Sequence, residues 1–162
     1  NIAEWVSQSP ATYCQQASKM SQGAFRWERR IAGQKLKNLL ASKAPGLGKL
    51  RKVDILERGP GGRVMGLRLT GSTGVKTLLY ELPIRRFFNN LRSGTFTLKP
   101  EEHADGSRTA LTFKGAGWGH GVGMCQMGAI GRAEAGQNHR SILRHYYGSA
   151  VLHELYPNSS LD

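Results

Sequence analysis

The sequence predicts an α+β protein, antiparallel strands and hairpins with several short helices, read as a single domain over residues 1–162. Two observations carry that prediction. Strand-like runs follow one another across tight glycine and proline turns, and helical spacings are short and scattered instead of alternating with strands in βαβ units.

Residues 1–24 show no clean period, and Pro10, Gly23 and the Gln and Ser residues predict an irregular segment with short turns. Phe25 and Trp27 alternate with Arg26 and Glu28, the pattern of a strand with one face buried. From Gln34 the period changes. Leu36, Leu39 and Leu40 share a face opposite Lys35, Lys37 and Asn38, a helix that Pro45 and Gly46 end.

Val53, Ile55 and Leu56 run into Arg58-Gly59-Pro60-Gly61-Gly62, beyond which Met65, Leu67 and Leu69 alternate with Gly66, Arg68 and Thr70. That is a hairpin. A turn at Gly71 to Gly74 leads to a strand from Val75 to Tyr80. Pro83 suits a first helical position ahead of Ile84, Phe87, Phe88 and Leu91. Thr95 to Leu98 and Thr109 to Phe113 are strands flanking Asp105-Gly106. Met124 to Ala135 and Arg140 to Tyr147 read as helices separated by Gly136-Gln137-Asn138, and Val151 to Tyr156 as a last strand.

The composition, 39% hydrophobic and 21% charged, is that of a folded globular chain. No apolar run reaches a membrane span, and no signal peptide opens the chain, whose first residue, Asn1, suggests a trimmed product. The net charge of +12 favours a polyanionic partner, nucleic acid, anionic lipid or an acidic cell-wall polymer, or is simply a solvated basic surface. Its basic residues form no dense tract of the kind that nucleic-acid-binding arms carry. The two cysteines, Cys14 and Cys125, have three readings. They form a disulfide, worth about 4 to 5 kcal/mol in the chain-entropy treatment, or stay free thiols, or share a metal such as zinc with a histidine.

Lys114 to Gly128, KGAGWGHGVGMCQMG, places glycine at every second position from Gly115 to Gly123. Such a stretch serves positive φ angles or close approach to the main chain. It has no Walker lysine and no following parallel βαβ unit, which excludes the phosphate-loop and dinucleotide readings. What remains is a loop feeding a helix N-terminus, with Trp118 as a flat apolar face and His120 as a donor or acceptor, an arrangement suited to a sugar. The competing reading places Trp118 in the core and satisfies His120 with a carbonyl. Tyr146 and Tyr147, about 100° apart on a helix, cannot both be core. One either presents its hydroxyl to a cleft or a backbone partner or merely caps the edge of the core.

The string from Gly117 to Ala129, followed by Ile142-Leu143-Arg144-His145-Tyr146-Tyr147, resembles the C-terminal signature of the SpoIID/LytB domain family. Arg58-Gly59-Pro60-Gly61-Gly62-Arg63-Val64, Phe25-Arg26-Trp27 and Leu91-Arg92-Ser93-Gly94-Thr95-Phe96 are similar to further segments of that family. The resemblance covers the later two thirds of the family domain. It implies a peptidoglycan lytic transglycosylase, exported to the cell envelope and concerned with sporulation or cell division. Such an enzyme cleaves MurNAc-GlcNAc links of denuded glycan to 1,6-anhydro products with one carboxylic acid and no required cofactor.

The family's catalytic glutamate lies in an early segment without a counterpart here, so no catalytic residue is assigned and the acid is expected from sequence outside this chain. His120, Gln126, Trp118, Tyr146, Gly119 and Gly121 are the implied substrate-binding residues. Cys14 and Cys125 resemble a subgroup with cysteines at both places, which implies that they lie close in space. Implied partners are peptidoglycan glycan strands, the missing N-terminal segment and other cell-wall hydrolases, with peripheral or anchored envelope association and no nucleic acid. The alternative is a non-catalytic peptidoglycan-binding module or an amidase or enzyme activator.

Overall fold

The computed structural model describes residues 1–17 and 23–153. They divide into two compact units, one of Asn1–Pro10 with Ser21–His120, the other of Ala11–Met20 with Gly121–Asp162. The architecture is α+β, as the hairpin-rich sequence predicts.

In the first unit, β1 (Arg26–Ala32), β6 (Arg108–Ala116) and β5 (Phe96–Glu102) form an antiparallel sheet in the order β1-β6-β5. A second antiparallel sheet, β2-β3-β4, is built from Leu50–Arg58, Val64–Gly71 and Val75–Leu79. The Gly-Pro-Gly-Gly turn joins β2 to β3, and Asp105-Gly106 turns β5 into β6, its Asp105 carboxylate accepting from the Ser107 amide at 2.9 Å. Both sheets give their apolar faces to one core. Val64, Leu67 and Leu69 of β3 and Leu111 and Phe113 of β6 are fully buried, with Phe88, Phe96 and Phe113 forming a tilted and edge-to-face aromatic cluster. Each such ring contributes about 2 to 3 kcal/mol on burial.

Helix α3 (Gly33–Lys43) lays Leu36, Leu39 and Leu40 onto this core, as their spacing predicts. Helix α4 (Glu81–Phe87) buries Ile84 and Phe87 but stops short of Leu91. Asn89 and Asn90 adopt left-handed φ of 57° and 58°, which asparagine tolerates better than most residues. Leu91 therefore reaches the core from a loop, whose carbonyls receive Arg29 and Arg85. The first residues, expected to be irregular, form α1 (Ile2–Ser7), capped by the Asn1 side chain on the Ala3 amide. Arg26 sits against the Trp5 and Phe25 rings and donates to the Trp5 and Gln8 carbonyls.

The second unit consists of α2 (Tyr13–Gln16), α5 (Gln126–Glu134) and α6 (His139–Tyr146). Thr12, Cys125 and Asn138 cap them in turn, each accepting from a backbone amide one helical turn on. Helix α2 was also expected to be irregular chain. The expected strand at Val151 to Tyr156 is not seen over 151–153, and its remainder lies outside the described residues. Among the described residues, no helix is long and apolar enough to cross a membrane.

Candidate functional site

The glycine stretch begins where β6 ends, and its first half belongs to the first unit. Gly117 and Gly119 have φ of 77° and 121°, and a Cβ on either would meet nothing within 4 Å. Glycine is needed there for backbone conformation, not for close packing.

The loop is tied down at successive carbonyls. Ser93 Oγ donates to the Ala116 carbonyl at 2.7 Å, Trp27 Nε1 to Gly117 at 3.0 Å, and Arg63 Nη1 to Gly119 at 3.0 Å. The Gly119 amide in turn donates to the Arg92 carbonyl at 2.9 Å. Beneath this network lies Glu81. Its Oε1 accepts from Arg63 at 3.0 Å, from Arg85 at 3.4 Å and from the Gly94 amide at 3.0 Å.

This bracing presents Trp118 outward. The indole is 65% exposed and carries the Arg92 guanidinium 5.0 Å from its ring centroid. The core reading of Trp118 is thereby excluded. A flat, largely exposed ring backed by a cation thus stands on the same loop as an exposed His120, leaving an apolar face and a polar group open to solvent.

The second half of the stretch belongs to the second unit. Here the glycines work by close approach. A Cβ on Gly131 would lie 2.2 Å from the Tyr13 carbonyl oxygen, and one on Gly128 would lie 2.1 Å from Tyr146 Oη and 3.0 Å from Cys14 Sγ. Helix α2 is thus seated directly on the backbone of α5. Gln137 donates to Tyr13 Oη at 3.1 Å, and Arg132 covers the Tyr13 ring at 4.5 Å while contacting His145 Nε2 at 2.8 Å. Tyr147 Oη accepts from the Met124 amide at 3.2 Å, giving the backbone partner expected of one tyrosine of the pair. Tyr146 is half-buried, and burial together with the nearby Cys125 sulphur holds its hydroxyl above its ordinary pKa.

Cys14 Sγ and Cys125 Sγ stand 3.5 Å apart. Cys125 is exposed and caps α5, accepting from the Gly128 amide at 3.4 Å. The shared hydrogen from Cys14, aided by the amides of Gly128 and Met127, lowers the Cys125 thiol to about 6 against the opposing pull of burial. Cys14 keeps the proton and is raised, first by that same hydrogen bond and then by burial. Alkylation of Cys125 by iodoacetamide in the reduced protein is therefore expected to rise with pH through a midpoint near 6. Cys14→Ala, which removes the donor, should move the midpoint upward, towards that of an ordinary thiol. Unchanged profiles in wild type and variant would disprove the shared hydrogen. Among the described residues, no group of three His, Cys, Asp or Glu side chains is placed to hold a metal.

Of the residues the sequence singled out, Trp118, Gly119 and His120 fall in the first unit, and Gly121, Gln126 and Tyr146 in the second. Gln126 opens α5 and is exposed. Cys14 and Cys125 do come together, as the resemblance implied. Arg63, Glu81, Arg92 and Ser93 were not anticipated as supports of the loop, although Arg63, Arg92 and Ser93 lie within segments on which the resemblance rests.

Two proteins show local sequence similarity. The chain is 54% identical over 41 residues, a quarter of its length, to a Bacillus subtilis protein named "Amidase enhancer". It is 40% identical over 52 residues, 32% of its length, to an uncharacterized protein of Brachyspira hyodysenteriae. These matches span only 6% and 12% of those proteins. Residues 6–123, well over half of the chain, match the family profile described as "Domain of unknown function (DUF8618)", and the chain belongs to that family.

Proposed function

We propose that the chain is a cell-envelope module that binds peptidoglycan glycan strands and raises the activity of a cell-wall amidase. It would not cut the glycan itself. The observation that carries this reading is the rigidly braced, outward-facing Trp118 with Arg92 on its ring. Such a platform recognises a sugar face without needing a reactive group. Support also comes from the local similarity to the amidase enhancer and from the net charge of +12, which suits a polymer bearing carboxylates.

Glu81 is the carboxylate under the loop, and its three donors assign it to holding Arg63, Arg85 and Gly94 in place. The lytic transglycosylase reading rests on the SpoIID/LytB resemblance and would take its acid from sequence outside this chain.

The test is an amidase assay on purified sacculi with and without the protein, alongside pull-down of the protein by sacculi. The protein should speed amide cleavage and co-sediment. Trp118→Ala should weaken sedimentation about 5- to 30-fold, the loss of one stacking contact worth about 1 to 2 kcal/mol. Release of 1,6-anhydro sugars from denuded strands by this chain alone would overturn the reading in favour of the transglycosylase.

A further inference from the structure

Nothing in the glycan-binding reading uses the two cysteines, yet their placement is specific. They come from segments 111 residues apart in sequence, and their sulphurs are 3.5 Å apart in the reduced protein. Gly128 is what allows this approach, because a side chain there would press on Cys14 Sγ. The two sulphurs also differ. Cys125 is exposed at the N-cap of α5 with an amide hydrogen directed at it, whereas Cys14 is half-buried behind it on α2.

We propose that Cys14 and Cys125 form a redox-active pair that a small-molecule disulfide oxidises to an intramolecular disulfide, with Cys125 as the attacking sulphur and Cys14 as the resolving one. The Cys125 thiolate attacks one sulphur of the external disulfide, forming a mixed disulfide and releasing one external thiolate. The hydrogen bond from Cys14 then has no thiolate to serve. Cys14 loses its proton to solvent and attacks the Cys125 sulphur, and the second external thiolate leaves. In sum, two protein thiols are oxidised, one external disulfide is reduced to two thiols, and the bond ties together the two chain segments that make up the second unit. Little motion is needed, since the sulphurs already touch.

The consequence is a second unit whose stability follows the redox state of its surroundings. A crosslink between residues so distant in sequence removes much denatured-state freedom. It forms readily in an oxidising extracytoplasmic space and opens in a reducing one.

The experiment uses the full chain, reduced, desalted and then exposed to excess oxidised glutathione at pH 7. Expected are loss of both thiols, a monomer lighter by two hydrogens with no glutathione retained, and a rise in melting temperature on the order of 10 °C. Cys14→Ser should trap one glutathione on Cys125. Cys125→Ser should react at least about tenfold more slowly, because the exposed, amide-facing sulphur is gone. Three results would overturn the proposal: glutathione retained on both cysteines of the wild type, equal reaction rates in the two variants, or a stoichiometric zinc ion that survives desalting and blocks oxidation until chelated. Circular dichroism of each variant separates these outcomes from failure to fold.

Discussion

Replacing Glu81 by alanine is expected to lower the stability of the protein by about 3 to 5 kcal/mol, the cost of removing one partner from a largely buried ionic cluster. The Glu81 side chain is only 13% exposed, and those of Arg63 and Arg85 are 24% and 15% exposed. All three of its donors meet one oxygen, so the substitution leaves two guanidiniums and the Gly94 amide facing space without their acceptor. Water would restore part of the loss at the rim. For a chain of this size the melting midpoint should fall by roughly 10 °C. Glu81→Gln, which keeps the oxygen but not the charge, should fall between. Because Arg63 also holds the Gly119 carbonyl, the alanine variant should weaken sedimentation with sacculi beyond what its stability loss explains. A midpoint within 2 °C of wild type, by calorimetry, would show that Glu81 is not the anchor described.

Gly131→Ala is expected to destabilise the second unit despite placing a better helix former inside α5. Helix propensity alone favours alanine by about 1 kcal/mol. The added Cβ, however, would lie 2.2 Å from the Tyr13 carbonyl oxygen and 2.9 Å from its carbon. These are backbone atoms that cannot rotate away, so α2 must move as a body. Overpacking of this kind costs about 1 to 3 kcal/mol, and here it should exceed the propensity gain. Moving α2 also moves Cys14 away from Cys125, so the yield of intramolecular disulfide should fall together with stability. Gly61→Ala is the control: its Cβ would meet nothing within 4 Å, and the change should be nearly neutral. Equal stability of the two variants would refute the close seating of α2 on α5.

The hairpins and α3 were legible in the sequence because their signals are local. Turn residues at 58–62 and 105–106, and three leucines on one helical face, need no knowledge of the rest of the chain. The helices at the beginning were not legible. At six and four residues they are too short to display a period, and single side-chain caps at Asn1 and Thr12 hold their first turns. The glycine stretch was recognisable as special, but its two uses were not separable. Gly117 and Gly119 serve φ, while Gly128 and Gly131 serve contact, a distinction that depends on what lies opposite each residue. The support for Trp118 was hidden for a related reason. Arg63 and Gly119 are 56 residues apart, and an arginine bound to a carbonyl looks in sequence like any solvated one.

The pairing of β1 with β6 bears on the order in which the chain assembles. Arg26, the first residue of β1, lies opposite Ala116, the last of β6, and the Gly117 amide reaches the Phe25 carbonyl at 3.1 Å. The chain thus enters and leaves this sheet at neighbouring points, although about ninety residues intervene. Bringing such distant segments together from an unfolded chain costs on the order of 4 kcal/mol in closure entropy. Once the sheet has formed, that cost has been met, and the segments of α2 and α5 start from nearby tethers. Folding of the second unit should therefore follow the β1-β6 ladder kinetically, and substitutions that slow the ladder should delay the helices without touching them.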